Sequence, residues 1–562
     1  MKRRSFFTVL ASVAAALLLI GAGGLAWILA QSPLALLQGG AIASPQAAMF
    51  VPPQAPLVAS LLTNPTKLEA FRQVLAQPGD RRQSRQEVQR VIQSLLAGTG
   101  LSYQQDVRPW LGDEATWAVT TADQDRDPSN GLQPGYLLAL STRDPVRSRE
   151  FLQAFWQKQA SAGKLPTFEA YKGTQLIYGD TDNAAVTQAT ALVGDRFVLF
   201  ANGPAVLKDA ISNVQAPELN LLHSEAYQTA LDTLTPKRIG LIYSNVPALT
   251  QWLNPQPASA TTLPYTQGAI ALALERQGIV ADTALLTATE TSQSGRPQIT
   301  AVPRALKYIP VGSPLVATGR DMHALWRSLE QGLERGGAIA TQLRQPLDQL
   351  QQQWGLDLAT DVFPWVQGEY ALALLPTTPE AAPDWVFVAE RTSPLAVSEG
   401  LARLDTIAQA QGYSVGPLTL GKQSVSAWTE LADESSAQSA ETTEPQLQAQ
   451  VRGVHTTLGN YEIFATSAAA LERSLQASQG KALADQPQFQ RAIAPLPTPN
   501  GGYLYLDWPQ GQTWIEDQWP LLRVAELAAG PLFEHLHALT VSTYGSEAGL
   551  HHSAIALQLD RP

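Results

Sequence analysis

The chain has 562 residues, of which 45% are hydrophobic and 15% are charged, and this apolar content excludes wholesale disorder. It contains no cysteine, which excludes disulfides, cysteine-ligated zinc, iron–sulfur clusters and a thiol nucleophile. The formal net charge is −11, and removing the basic cluster Lys2, Arg3 and Arg4, the only charges before residue 67, leaves −14. That acidic balance argues against nucleic acid as a partner.

The N-terminus predicts a cytoplasmic tip and a membrane anchor within residues 1–30. The apolar stretch at 6–30 is longer than the roughly 7–15 residues of a cleavable signal, and it follows the basic cluster. The positive-inside rule then predicts that the body is exoplasmic, in the periplasm or a thylakoid lumen. Two alternatives stay open: export with cleavage after Ala41-Ile42-Ala43, and a buried cytoplasmic helix. Residues 31–48, which contain Pro and paired Gly, are predicted to form a linker.

The rest of the chain contains an internal duplication. A nine-residue segment that starts at Asp106 recurs without a gap at Asp361, and shorter matches follow in the same order. We therefore predict one repeat at 49–290, a linker at 291–304 and a second repeat at 305–562. The matched residues of this D-V-x-P-W motif and the glutamate after it are Asp106 and Asp361, Val107 and Val362, Pro109 and Pro364, Trp110 and Trp365, and Glu114 and Glu369.

Helices and strands are predicted in the same order in both repeats. Periodicity and Asp-Pro or Ser-Pro starts predict helices at 67–76, 85–97 and from 145, and at 323–332, 340–353 and from 394. The predicted strands are 57–62, 115–121, 136–140, 269–274 and 279–286, then 315–318, 370–375, 385–389, 539–544 and 550–559. Short turns between successive strands favour antiparallel pairing. The predicted fold is therefore α+β: one transmembrane helix, then two tandem homologous lobes, each a mainly antiparallel sheet with packed helices.

Two polar stretches are predicted to be surface loops, Thr121–Gly135 and Ala432–Gln450, because neither has enough apolar content to fold alone.

The N-terminal anchor, the opening Phe50-Val51-Pro52 with Ala55-Pro56-Leu57-Val58, and the D-V-x-P-W motif resemble a known family. It consists of membrane-anchored proteins with a domain of unknown function, found mainly in cyanobacteria. The resemblance extends over nearly the whole chain. It implies an anchor and an exported body, and it supplies no catalytic residue.

Three patterns resemble functional sites but lack residues or geometry that those sites require. The segment Gly416–Gln423 is close to a phosphate-binding loop, but Gln423 occupies the position that requires Ser or Thr, and the following residues are predicted to be extended. Asp123, Asp125 and Asp127 have calcium-loop spacing without the Gly and Glu that such a loop needs, so a solvated acidic loop is favoured over a loose cation site.

Four of the seven histidines lie near the C-terminus, at 535, 537, 551 and 552. Clustered histidines suggest a metal site. If Tyr544 pairs with Leu550, however, His551 lies opposite Thr543, about 20 Å along the strand from His537. No catalytic, cofactor-binding or metal-binding residue is therefore predicted.

The sequence favours a non-catalytic, membrane-anchored exoplasmic protein that binds or organises an envelope component. The membrane is the partner of residues 6–30, and an envelope protein or a lipid is the expected partner of the body. The alternatives are a carrier or chaperone for an apolar ligand and an enzyme such as a hydrolase. The motif is predicted to be structural, with Trp110 and Trp365 buried against the helices of their own repeats, because packing constraints act on both copies.

Overall fold

A computed structural model describes residues 33–68, 70, 102–127, 129, 131–161, 163, 165–179, 188–253, 265–276, 278–287, 298–323, 357–377, 383–433, 447–518, 533, 535–547 and 549–559. The predicted anchor at 6–30 and the predicted helices at 85–97 and 340–353 lie outside these residues, as does most of those at 67–76 and 323–332. Within the described part of the chain, no helix is long and apolar enough to cross a membrane.

The chain forms two compact units. The first includes the described residues up to 253 together with Gln267–Arg276, and the second includes 265–266 and the described residues from 278 to 559.

The described part of unit one contains nine strands and four α-helices. The strands are β1 (Leu57–Leu61), β2 (Leu111–Thr121), β3 (Gly135–Thr142), β4 (Pro166–Tyr171), β5 (Thr174–Gly179), β6 (Ala189–Val193), β7 (Phe197–Ala201), β8 (Gly240–Asn245) and β9 (Tyr265–Glu275). The helices are α1 (Pro145–Ser161), α2 (Pro204–Gln215), α3 (Glu225–Thr233) and α4 (Val246–Leu253). All pairings are antiparallel, in the order β4-β5-β6-β7-β3-β2-β1-β8-β9.

Unit two begins with a strand that joins the far edge of its own sheet. Its strands are β10 (Gly278–Thr287), β11 (Leu315–Arg320), β12 (Glu369–Leu375), β13 (Asp384–Glu390), β14 (Ser414–Leu420), β15 (Gln423–Asp433), β16 (Leu447–Leu458), β17 (Tyr461–Ala465), β18 (Gly502–Asp507), β19 (Leu536–Glu547) and β20 (Leu550–Leu559). Its α-helices within the described ranges are α5 (Pro394–Ala410), α6 (Ala468–Ala477), α7 (Pro487–Ile493) and α8 (Trp508–Gln518). The order is β14-β15-β16-β17-β13-β12-β11-β18-β19-β20-β10, again antiparallel throughout.

The pairing order of β1–β9 is therefore repeated, strand for strand, by β11–β19. The predicted α+β class with antiparallel sheets is confirmed.

Alternation along the strands separates two apolar layers, which is clearest in β13. Val386 and Val388 enter one buried cluster with Val316 of β11, whereas Phe387 packs on the opposite face beside Trp365. Side chains that point to alternate faces allow one strand to supply both layers. In unit one, the matching second layer contains Trp110 and residues of α1.

The segments predicted as linkers contain packed residues. Leu36, within the predicted linker 31–48, is only 4% exposed, and Gly40 N donates to Arg238 O over 2.8 Å. Within 291–304, Ile299 is also buried and pairs with Asn500. The predicted loop Ala432–Gln450 is too long, because its ends extend β15 and β16: Ala432 lies opposite Gln448. The ends of this segment consist mostly of small and polar residues, so apolar spacing did not predict the pairing.

Candidate functional site

The D-V-x-P-W motif begins with an aspartate that holds a short helical turn in each unit. Asp106 Oδ2 accepts a hydrogen bond from Ser102 N at 2.7 Å, at the start of the π turn Tyr103–Val107. Asp361 Oδ2 accepts one from Asp357 N at 2.8 Å, before the π turn Leu358–Val362. Side-chain acceptors satisfy amides that have no partner within such a turn.

The tryptophans of the motif close back onto the same turns. Trp110 Nε1 donates to Asp106 O at 2.7 Å, and Trp365 Nε1 donates to Asp361 O at 2.9 Å. The side chains are 1% and 5% exposed. Trp110 packs on Phe151 of α1, with ring centroids 5.2 Å apart, and Trp365 lies against Gly400 of α5, where a Cβ atom would stand 2.3 Å from its Cδ1. The predicted burial against helices of the same unit is confirmed.

The remaining motif residues complete the turn without facing a common cleft. Val107 is buried and Val362 half-buried in the second apolar layers. Pro109 is half-buried, and Pro364 is exposed within the 3-10 turn Phe363–Trp365. The motif therefore shapes the entry into β2 and β12.

Each motif glutamate binds the first amides of a 3-10 turn that lies far away in sequence. Glu114, 3% exposed, accepts hydrogen bonds from Ala47 N at 2.8 Å and Gln46 N at 3.1 Å. Glu369 Oε2 accepts from Arg304 N at 2.7 Å. Burial raises the pKa of Glu114, and the amide hydrogen bonds oppose that rise. Sequence reasoning missed this role, although the glutamate was retained in both copies.

An ionisable cluster, formed by Asp405, His455 and Glu462, lies between α5 and the sheet of unit two, and the side chain of Asp405 is 27% exposed. His455 Nδ1 is 3.1 Å from Glu462 Oε1, and His455 Nε2 is 3.4 Å from Asp405 Oδ1 without hydrogen-bond geometry. His455 and Glu462 are 8% and 2% exposed. Trp428 Nε1 donates to Asp405 Oδ1 at 2.7 Å, and the His455 ring stacks on Phe464 at 4.9 Å.

Unit one has neutral residues at the three matching places. His455 lies opposite Phe464 as Thr190 lies opposite Phe200, and Thr190 Oγ1 accepts a hydrogen bond from Trp156 Nε1 at 2.8 Å. Trp156 holds the same place in α1 as Asp405 in α5, and Val198 the same place in β7 as Glu462 in β17. The helix–sheet contact is thus present in both units, but only unit two builds it from ionisable groups.

A histidine between carboxylates suggests base catalysis, which needs a nucleophile within hydrogen-bond reach. Ser426 lies directly opposite His455 in the β15–β16 pair, yet no hydrogen bond joins their side chains. The cluster lacks the nucleophile–base contact of a hydrolase. No sequence motif indicates the cluster, because its members are separated by 50 and 7 positions along the chain.

The near phosphate-binding loop lies in the β14–β15 hairpin, where Leu420 pairs with Gln423. No helix begins there, so the amides of a phosphate cradle are missing. The acidic loop is closed by its own hydrogen bonds: Asp125 Oδ1 accepts from Asp127 N, and Asp127 Oδ1 from Ser129 N. The hydrogen bonds from Ser129 lower the pKa of Asp127.

The predicted register of the last hairpin was wrong. Tyr544 lies opposite His552, and His551 lies opposite Ser546, because an irregularity at Gly545 shifts the pairing. His537 is then nine strand positions from Ser546, about 31 Å, so the separation of His537 from His551 is larger than predicted. Across the described ranges, no group of three or more His, Asp or Glu side chains has the geometry of a metal site.

Large apolar side chains are exposed in the middle of both sheets. Trp117 of β2 is 36% exposed and stacks on Tyr136 of β3, with ring centroids 6.1 Å apart. Leu504 of β18 is 39% exposed. Apolar side chains in central strands are usually covered, so each of these faces has room for an apolar contact.

A family profile matches residues 10–559, and its description is "Protein of unknown function (DUF3352)". A comparison with curated proteins finds no significant match. Among solved structures, crystal forms I and III of TP0453 are similar, with 11% and 12% sequence identity and TM-scores of 0.26 and 0.24. Each match covers 44% of this chain, and the two matches cover 80% and 81% of the TP0453 chain in forms I and III.

Proposed function

The chain belongs to this family of proteins of unknown function, and we propose that it is a non-catalytic, single-pass membrane protein. Its body is exoplasmic, in the periplasm or a thylakoid lumen, and binds or organises an envelope component. Residues 6–30 are the anchor, and the membrane is their partner. The basic cluster before this apolar stretch supports the orientation.

We also propose that the body consists of two homologous lobes. The repeated motif supports this, since both copies use the aspartate, tryptophan and glutamate for the same hydrogen bonds. The repeated strand order supports it too.

One observation carries the proposal of an uncleaved anchor: the segment directly after it packs into unit one. Ala41 N donates to Leu62 O at 2.9 Å, and Arg238 Nε donates to Ala43 O at 2.8 Å. Cleavage after Ala43 would remove these bonds and the buried Leu36. Packing of residues 33–43 into the body therefore argues against cleavage after Ala43.

The binding role rests on how the retained residues are used. The motif side chains bind the amides of helical turns and pack in the core. The ionisable cluster of unit two packs between α5 and the rings of Trp428 and Phe464. These arrangements stabilise a scaffold. The exposed apolar residues of the central and edge strands have no such structural role and are available to bind a partner.

The test is digestion of spheroplasts with added protease, followed by mass spectrometry of the membrane-bound remnant. We expect loss of the body, and in undigested protein we expect peptides from residues 33–43. Complete protection of the body contradicts a periplasmic location, digestion of the body on intact thylakoids contradicts a lumenal one, and a mature N-terminus near Ser44 contradicts the anchor.

A second candidate, a carrier for an apolar ligand, is favoured by the exposed stack of Trp117 and Tyr136. Brominated fatty acids quench tryptophans that they touch, so they report on this face directly. A carrier predicts saturable quenching that disappears in Trp117→Phe and persists in Trp428→Phe, whose tryptophan is buried. Equal quenching of all three proteins, or none, removes this candidate.

A further inference from the structure

The outer edge of β4 ends the sheet of unit one, and no described strand pairs with it. Tyr171 and Thr174 close a two-residue turn at Lys172-Gly173, where φ is 48° and 79°, as in a type I′ turn. The pair that closes such a turn exchanges both of its hydrogen bonds, and the next pairs alternate. The N–H and C=O groups of Phe168 and Ala170 therefore point away from β5.

After Pro166, which occupies the first position of the strand, the side chains on this edge do not protect it. Phe168 is 58% exposed and Leu165, just before the strand, is 71% exposed. The strand's one carboxylate, Glu169, is neutralised by Lys208 of α2 at 2.8 Å. Native edge strands are normally blunted by a charge, a bulge or a proline at the outward positions.

Unit two shows that protection at the matching place. Leu420 closes the corresponding turn, so the residue three positions before it, Pro417, matches Phe168. Pro417 has no N–H, and in an edge strand proline is tolerated where the N–H would face outward. The proline thus interrupts the middle of this edge in unit two, whereas in unit one Pro166 stands at the start of β4 and leaves the outward N–H groups of Phe168 and Ala170 in place.

We propose that the outer edge of β4 is a docking site for an extended segment of a partner protein, which adds a strand to the sheet of unit one. Alternating outward N–H and C=O groups are the pattern with which an added β-strand pairs. This inference rests on the proposed binding role and names its site and partner chemistry.

The charges near the edge define the partner further. Lys172 donates to Ser212 Oγ at 3.0 Å, and among the described residues no carboxylate pairs with it. An antiparallel partner would have its N-terminal end beside Lys172. The partner segment therefore carries an acidic residue at that end and an apolar side chain near Phe168.

The probe is a fluorescent peptide of about ten residues, Asp followed by alternating Val and Thr, long enough to cover one edge strand. We expect the full-length protein in detergent to bind one equivalent and to slow hydrogen exchange at the amides of Phe168 and Ala170. Phe168→Pro should weaken binding about tenfold, since it removes one backbone donor and the aromatic contact. Pro417→Phe should add a second equivalent.

The same peptide with every amide N-methylated is the control, because it keeps the side chains and cannot pair with an edge. Equal binding of both peptides, or unchanged binding to Phe168→Pro at an unchanged melting temperature, overturns the proposal. Wild-type dimers that Phe168→Pro dissociates, with no peptide bound, make a second copy the occupant and also overturn it. If the peptide does not bind but an envelope component still co-purifies with the protein, this inference is wrong and the proposed function still stands.

Discussion

The two motif tryptophans offer the most direct test of a structural role. Each indole is buried and donates to the carbonyl of the motif aspartate four residues earlier. Trp110→Ala or Trp365→Ala should lower the free energy of unfolding by about 3–5 kcal/mol, as truncation of a buried aromatic does. Trp117→Ala, 36% exposed, should cost much less. Denaturant titration of each variant measures this, and equal effects at all three sites would contradict the assignment.

Glu114 links stability to pH in an identifiable direction. Burial raises its pKa above the ordinary value of 4.5, so the folded state favours the protonated form. The stability from this preference is fully present below about pH 4.5 and is lost as the pH rises through the folded pKa. From pH 7 toward pH 4.5, the wild-type protein should therefore gain melting temperature relative to Glu114→Gln.

The control for this pH series is Glu430→Gln, since Glu430 is half-exposed in an ion pair with Arg452. Its melting curve should follow that of the wild type. If the wild type and Glu114→Gln differ by a constant amount at every pH, the carboxyl of Glu114 is not responsible.

At the scale of single residues, the sequence predicted the tryptophans but not the glutamates. A tryptophan kept in both copies beside a proline indicates packing on its own. Glu114 acts through amides 67 and 68 positions earlier in the chain. Such a contact depends on the tertiary fold, and no periodicity reports it.

At the scale of elements, the contact between α5 and the β16–β17 hairpin depends on the pair His455 and Glu462. His455→Thr and Glu462→Val introduce the residues of unit one, and each alone removes one partner of a buried pair, at about 3–5 kcal/mol. The double variant should lose less than the sum of the two, with a coupling of about 0.5–3 kcal/mol.

The matched control for this cycle is Arg452 with Glu430, an ion pair at 2.8 Å across the neighbouring strand pair β15–β16, whose side chains are 46% and 45% exposed. Its coupling should be about 0.2–1 kcal/mol, because solvent screens it. Strict additivity for His455 and Glu462 would show that the two groups do not stabilise each other.

Strands were predictable where apolar runs were short and bounded by turns, as for β1, β3 and β13. Helix starts were predictable at Pro145 and Pro394, where proline follows Asp or Ser. The register of β19 with β20 was not, because a bulge at Gly545 has no signature in apolar spacing. The ends of β15 and β16 that lie within the predicted loop Ala432–Gln450 were not predicted either, because their residues are mostly small or polar.

At the scale of the whole molecule, the nearly constant offset between matching sequence segments predicted that the two repeats would have the same strand order. The pairings of β1–β9 and β11–β19 do have the same order. Boundaries were less predictable. Proline and glycine near residues 33–45 resemble those of a linker, yet Ala47, Ala48 and Phe50 are fully buried. Composition reports local conformation, whereas burial there depends on partners far along the chain.

The segment 33–50 therefore predicts a graded loss of stability on truncation. A chain that begins at residue 33 keeps every described contact of unit one. A chain that begins at Ser44 loses the burial of Leu36 and the hydrogen bonds of Gly40 and Ala41 with Arg238 and Leu62. A chain that begins at residue 51 also loses Phe50, whose ring packs on Phe197 at 5.3 Å, and leaves the buried carboxylate of Glu114 without its two amide donors.

We expect melting temperatures to fall in that order. The last step should be the largest, because Glu114 keeps only the hydrogen bond from Thr116, and the loss of its two amide donors adds to the loss of a buried aromatic. Glu114→Gln introduced into the chain from residue 51 should recover part of the loss, since it removes the charge but keeps the shape. If the chain that begins at Ser44 has the same melting temperature as the chain that begins at residue 33, residues 33–43 do not stabilise the body. Cleavage after Ala43 then becomes the better account of the N-terminus.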